Sequence, residues 1–184
     1  MSDTFRDELI EGIRSLRGFA RTFHHDAARA EDLVQETMLK AWTKREQFQE
    51  GTNMRAWLFT ILRNTYLSEL RKKKREVEDA DGIYTDHLAE KPRQEGVVMI
   101  RDLKAALARL SDDQREAVIL VGASGFTYEE AAEIVGVAPG TIKSRVSRAR
   151  TALAEMMGEN AIDIHDKSLS GATQDGLDRA AQIF

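Results

Sequence analysis

The chain has 184 residues and no cysteine, which is enough for one ordinary domain or two small ones and excludes a disulfide framework or a thiolate metal site. Its formal net charge is −4, its prolines are Pro92 and Pro139, and its β-branched runs are short, so an all-α protein is expected. No apolar run reaches bilayer-spanning length, and Asp3, Asp7, Glu8 and Glu11 do not fit the cationic opening of a secretory signal.

The first predicted helix begins after Thr4, with Leu9, Ile13, Leu16, Ala20 and Phe23 at helical spacing. His24, His25 and Asp26 interrupt it, and Asp26 is placed to cap the second helix. There Ala30, Leu33, Val34, Thr37, Met38, Ala41 and Trp42 form the clearest apolar stripe in the chain and are expected to bury. The opposite face carries Glu31, Asp32, Gln35, Glu36 and Leu39. A leucine among acids hints at an interface, although single exposed leucines are common.

A polar stretch over 47–52 follows, and Asn53 is placed to cap a third helix with the core stripe Met54, Trp57, Leu58, Ile61, Leu62 and Thr65. Its second half mixes Asn64, Tyr66 and Ser68 with cations and ends in the unbroken basic run Arg71, Lys72, Lys73, Lys74 and Arg75. One or two cations would complement the helix dipole. Cations in unbroken succession repel each other unless an anion is nearby, so nucleic acid is the expected contact. From Glu76 to Gly96 the apolar period is lost among acids, glycine and Pro92, which reads as a flexible acidic linker over 76–97. The expected organisation is two small helical domains, 1–75 and 98–157, joined by that linker and followed by a tail, 158–184, without a clear period.

The second domain opens with Met99, Leu103, Ala106, Leu107 and Leu110 at helical spacing. Ser111 with Gln114, and Thr127 with Glu130, are two capping boxes. The helix after Ser111 is expected to run to about Val121 and to end at Gly122, Ser124 and Gly125. The next should turn at Gly136, where positive φ is expected, and Pro139 opens the last helix, which runs to about Met157. Residues 127–153 thus read as a helix-turn-helix. Ala131, Val135, Ile142, Val146 and Leu153 face inward, and Thr141, Lys143, Ser144, Arg145, Ser147, Arg148 and Arg150 line the outer face. Such donors suit phosphates and base edges; an ordinary helical hairpin with a basic surface would show a similar pattern.

Charge follows the same division: residues 51–75 sum to +6, 76–97 to −5, 139–150 to +4 and 158–184 to −3. Two basic segments in an acidic chain indicate two contacts with a polyanion.

In these motifs the chain resembles the extracytoplasmic-function (ECF) sigma factors of the sigma-70 superfamily. Ala30-Glu31-Asp32-Leu33-Val34-Gln35-Glu36 through Trp42 is similar to region 2.2, Met54-Arg55-Ala56-Trp57-Leu58 through Asn64 to regions 2.3 and 2.4, and Thr127-Tyr128-Glu129-Glu130 through Arg148-Ala149-Arg150 to region 4.2. The resemblance spans about residues 5–157. Arg63-Asn64 before the basic run and Arg75-Glu76-Val77 after it look like the general-stress-response, EcfG-type subgroup. Ala138 stands where a better helix cap is often seen, and the tail after Gly158 matches no motif.

The resemblance implies a cytoplasmic, non-enzymatic subunit without a cofactor, which directs RNA polymerase to promoters. It implies that Asp32, Gln35, Glu36 and Leu39 dock on the β′ clamp coiled coil of core polymerase, with a further contact to the β flap. By the same resemblance the loop over 49–53, with Asn53, takes a flipped base of the −10 element, and Arg63, Asn64, Tyr66, Arg71 and Lys72 grip −10 DNA. Thr141, Lys143, Ser144, Arg145 and Arg148 would read the −35 element, and a small NepR-type anti-sigma factor, released through a PhyR-type response regulator, would hold the protein inactive. No phosphate-cradling loop is present, so strand opening, at about 1.4 kcal/mol per base-pair step, has to be driven by binding.

Three other readings compete. A sigma mimic that titrates an anti-sigma factor would shed the cations of the DNA face. A plain helix-turn-helix regulator leaves 26–75 unexplained and usually dimerises. A metalloenzyme built on His24, His25, Asp26, Glu31 and Asp32 lacks an i, i+4 histidine pair.

Overall fold

The structure, a computed structural model, describes residues 3–24, 26–78 and 95–157. His25, the side chain of Met99, most of the expected linker and the tail after Met157 lie outside the described residues. Among these residues the fold is all-α: α1 (Asp3–Phe23), α2 (Ala27–Thr43), α3 (Met54–Glu78), α4 (Glu95–Arg109), α5 (Asp112–Val118), α6 (Tyr128–Val135) and α7 (Pro139–Met157). A 3-10 turn at Arg45–Gln47 follows α2, and a π turn at Ile119–Ala123 extends α5.

Local chemistry sets most helix ends. Asp26 accepts a hydrogen bond from the Arg29 amide at 2.9 Å and starts α2. The Asn53 side-chain oxygen accepts from the Ala56 amide at 3.1 Å and starts α3. Both capping boxes form, so Ser111 and Thr127 begin α5 and α6 with two orphan donors satisfied at each. Gly136 closes α6 at φ 77°, a left-handed backbone that disfavours a side chain, and Pro139 is the first residue of α7.

Helices α1, α2 and α3 pack on one another around Leu16, Phe19, Leu33, Val34, Leu58 and Leu62. Gly12 lets α1 approach α3, because a Cβ there would meet Leu58 Cδ1 at 2.6 Å. Helices α5, α6 and α7 enclose Leu120, Ala131, Ile142 and Val146, and α4 lies on α7 through Leu107, Leu110 and Leu153. One continuous buried cluster joins the first three helices to α5, α6 and α7 through Phe59, Leu62, Leu120 and Phe126.

The structure departs from the sequence reading in several places. Trp42 is exposed, although its stripe was expected to bury. It sits at the end of α2, where its ring lies at the rim of a cluster with Phe5, Phe48 and Trp57 and carries Arg45 on its face. Helix α3 continues to Glu78 and α4 starts at Glu95, so the ends of the expected linker are helical; Glu76, Glu78 and Glu95 are good helix formers and prolong the helices. The segment after Ser111 runs past Val121 to Ala123, because the π turn absorbs an extra residue before Gly125 (φ 70°) breaks it.

Two outcomes follow. G12A should lower stability by ~1 kcal/mol in urea unfolding, because crowding against the fully buried Leu58 outweighs the helix-propensity gain. G18A, with nothing within 4 Å of the added Cβ, should raise it by ~0.5–1 kcal/mol.

His24 lies 3.5 Å from Glu69 and edge-on to the Tyr66 ring at 5.4 Å. Burial holds its pKa below the ordinary 6.5; Lys73 and Arg29 act in the same direction and Glu69 opposes. Protonation then favours the unfolded chain, so this contribution is complete above the ordinary value and is lost as pH falls through the folded one. Tm measured from about pH 8 down to about pH 5 should fall across the histidine range, and His24→Gln should flatten that part of the profile.

Candidate functional site

Helix α2 presents Asp32, Gln35, Glu36 and Leu39 together on one exposed face. Leu39 is 67% exposed, well beyond what packing within the chain would leave to a leucine that contributes to the core. Glu36 pairs with Lys40 at 2.6 Å, and Lys40 also donates to Thr65 of α3 at 3.2 Å, which fixes the face against the rest of the unit. Glu31, next to this face, is held in a bidentate pair by Arg17 at 2.8–2.9 Å, and Asp26 is committed to its cap. Two acids of a conceivable metal site, Glu31 and Asp26, therefore already have separate structural partners, His24 faces Glu69, and among the described residues no group of three or more such side chains is placed to hold a metal ion.

The −10 candidates divide into two groups. Asn64, Arg71 and Lys72 are exposed along α3, continuous with the basic run. Asn53 and Arg63 are instead engaged with the second half of the chain, and Tyr66 packs within the first half against Phe23 and His24. Asn53 donates to Glu130 at 2.8 Å while its oxygen caps α3. Arg63 Nε donates to Glu116 at 2.8 Å, and this pair is largely buried, with side-chain exposures of 17% and 7%. Tyr66 stacks on Phe23 at 4.4 Å; burial raises its pKa, with Asp112 adding in the same direction. The loop over 49–53 is a tight turn: Gly51 has φ 85°, and both the amide and the hydroxyl of Thr52 donate to the Gln49 carbonyl.

On α7 the −35 candidates also differ in setting. Lys143 and Arg148 are exposed, while Thr141 and Ser144 are half-buried and joined by the Ser144 hydroxyl donating to the Thr141 carbonyl at 2.9 Å. Arg145 is bound to Asp113 of α5 at 2.6 Å. Helix α5 thus places one acid against each basic helix: Glu116 toward α3 and Asp113 toward α7.

Sequence reasoning did not single out the centre of the contact between the halves. Arg55 lies with its guanidinium 4.5 Å from the Phe126 ring centre and 5.6 Å from that of Phe59, and it donates to the Ser124 carbonyl. Its Nε is buried without a hydrogen-bond partner. Burial pulls its pKa down and Glu130 opposes. Burial likewise pushes the Glu116 carboxyl above the usual carboxylate value, against the pull of Arg63. A cation one residue into a largely apolar helix start, and a glutamate beside Ala117 and Val118, were the available signals.

Among the described residues no helix is long and apolar enough to cross a membrane. The family model Sigma-70 region 2 matches residues 10–76, and Sigma-70, region 4 matches residues 100–153. The chain is 52% identical over 157 residues to the ECF RNA polymerase sigma factor EcfG of Rhodopseudomonas palustris, covering 85% of this chain and 87% of that protein. It is 35% identical to the ECF RNA polymerase sigma factor SigC of Mycobacterium tuberculosis, covering 70% of each. Among solved structures, the sigma factor RpoE in complex with the anti-sigma factor NepR from Bartonella quintana matches with a TM-score of 0.76 and 52% identity, covering 85% of this chain and 98% of that one. With both sigma-70 regions in order along one chain, and this identity across both, the protein belongs to the ECF sigma factors of RNA polymerase.

Proposed function

We propose that the chain directs core RNA polymerase to general-stress promoters as an EcfG-type sigma factor, under the control of a NepR-type anti-sigma factor, and that it works in the cytoplasm as a binding subunit and not as an enzyme. The observation that carries this reading is the 52% identity to an EcfG across both regions, on a fold that leaves the α2 face and the cations of α3 and α7 at the surface. The similar RpoE is held by NepR, which supports the choice of regulator. A sigma mimic is disfavoured by the exposed Arg71, Lys72, Lys143 and Arg148.

In this reading Asp32, Gln35, Glu36 and Leu39 seat on the β′ clamp coiled coil, and region 4 reaches the β flap. Asn53, Arg63, Asn64, Tyr66, Arg71 and Lys72 hold the −10 element. Thr141, Lys143, Ser144, Arg145 and Arg148 face the −35 element, Lys143 and Arg148 from exposed positions. Each basic helix alone binds DNA weakly at physiological salt. Polymerase raises the effective concentration of both over one promoter, and bases captured after opening supply the energy of melting.

In vitro transcription with purified core polymerase on a promoter library tests the activity: specific initiation is expected, and its absence at every site would remove the reading. Lys143→Ala and Arg148→Ala should each reduce −35-dependent initiation by roughly 5- to 100-fold, the equivalent of ~1–3 kcal/mol, with core-polymerase affinity unchanged. Leu39→Ala should weaken core-polymerase binding about tenfold and leave DNA contacts intact. The two readouts exchanging places would show the faces to be misassigned.

A further inference from the structure

Residues 12–30 carry Arg14, Arg17, Arg21 and Arg29 against Asp26, a third cationic stretch that neither the promoter contacts nor the polymerase face uses. The arginines at 14, 17 and 21 recur at helical spacing along one side of α1. That side is not the one packed on α3. Gly12, Phe19 and Phe23 face α3, and at about 100° per residue Arg14 and Arg21 stand opposite them. With the start of α2 these arginines line an open cleft of about 310 Å³, at the small end of the volumes that hold organic ligands. We propose that this cleft binds a small polyphosphate, either a nucleoside di- or triphosphate or the phosphate chain alone, with Arg14, Arg17 and Arg21 as its donors.

The cleft exists because its floor is small. Gly18, Ala27 and Ala30 line it, and a Cβ added at Gly18 meets nothing within 4 Å, so a ligand has room where a larger residue would stand. Its walls are charged. Arg17 gives its Nε and Nη2 to Glu31 at 2.9 and 2.8 Å, which uses two of the five donors of a guanidinium. The pair fixes the plane of the fork and leaves donors for a ligand. The acid in the lining, Glu31, is thereby answered, and Arg14 and Arg21 give the rim an excess of cations. Neighbouring carboxyls register that field. The hydrogen bond from Arg17 pulls Glu31 below its ordinary pKa and Arg21 adds to it; Asp26, drawn down first by the Arg29 amide, is drawn further by Arg21. From Arg14 to Arg21 the helix rises about 10 Å, which exceeds one phosphate and suits a chain of them. Arginine meets phosphate oxygens with parallel N–H bonds, which gives orientation as well as attraction.

Isothermal titration of the full chain at fixed ionic strength with ATP, pyrophosphate and AMP tests the site. ATP should bind at a single site, about tenfold tighter than AMP, because one phosphate reaches fewer of the arginines. Pyrophosphate equal to ATP assigns the binding to the phosphate chain alone, and weaker pyrophosphate assigns a share to the nucleoside. Arg14→Ala and Arg21→Ala should each weaken ATP about tenfold. Gly18→Leu separates a cleft from mere surface charge: it keeps every charge, fills the space and should weaken ATP about as much. Arg6→Ala, on α1 but outside the cleft, should leave binding as it is, and circular dichroism melts establish that each variant folds. Absence of ATP binding at millimolar concentration would overturn the site. So would equal affinity for ATP and AMP, or undiminished binding by folded Gly18→Leu, which would reduce the arginines to a solvated face. A duplex of arbitrary sequence that displaces ATP, and itself binds less well to Arg14→Ala, would make the cleft a DNA backbone contact and refute the small ligand.

Discussion

The ring of Phe59 stacks on Phe19 at 4.6 Å on one side and meets Phe126 edge-on at 4.9 Å on the other. Phe19 meets Phe23 edge-on at 4.9 Å, and Phe23 stacks on Tyr66 at 4.4 Å. This row of rings passes from the candidate DNA surface of α3, through the middle of the first three helices, into the second half. Aromatic pairs add ~0.5–1.5 kcal/mol each beyond area burial, and the row ties the position of α3 to both halves. Helix α3 therefore carries two buried sides and a cationic third, and every candidate surface is placed relative to it.

Electrostatics divides the same helices differently. The exposed cations over 71–75, Lys143 and Arg148 give the chain its attraction for a polyanion, despite a net charge of −4. Arg63 and Arg145, by contrast, are taken by Glu116 and Asp113 of α5. A short acidic helix between two basic ones keeps them from repelling each other within one compact fold, and does so with side chains whose opposite partners also suit nucleic acid. Folding and recognition thus draw on one set of donors.

Much of this was legible in the residues because it is local. Asp26, Ser111, Thr127, Gly136 and Pro139 act on their own helix ends, and each does what its chemistry predicts. The exposed face of α2 follows from the stripe opposite it. What escaped depends on residues far apart. Phe59 falls off the apolar stripe of α3 because it serves a second face, and nothing near it in the chain announces Phe126. Glu116 resembles a surface acid until Arg63, 53 positions earlier, is brought against it. Trp42 failed for the opposite reason: the period continues to the end of α2, but the packed neighbours do not.

The π turn at Ile119–Ala123 makes an i to i−5 bond from the Ser124 amide to the Ile119 carbonyl, so this stretch contains one residue more than a regular α-helix would need. That surplus directs the Ser124 carbonyl and the Phe126 ring toward Arg55. Deleting a single residue here would remove the wide turn and its Ser124-to-Ile119 bond, and with them the local geometry that presents both groups to Arg55. Length in this segment, independently of which apolar side chains fill it, thus shapes the junction at which the two sigma regions meet.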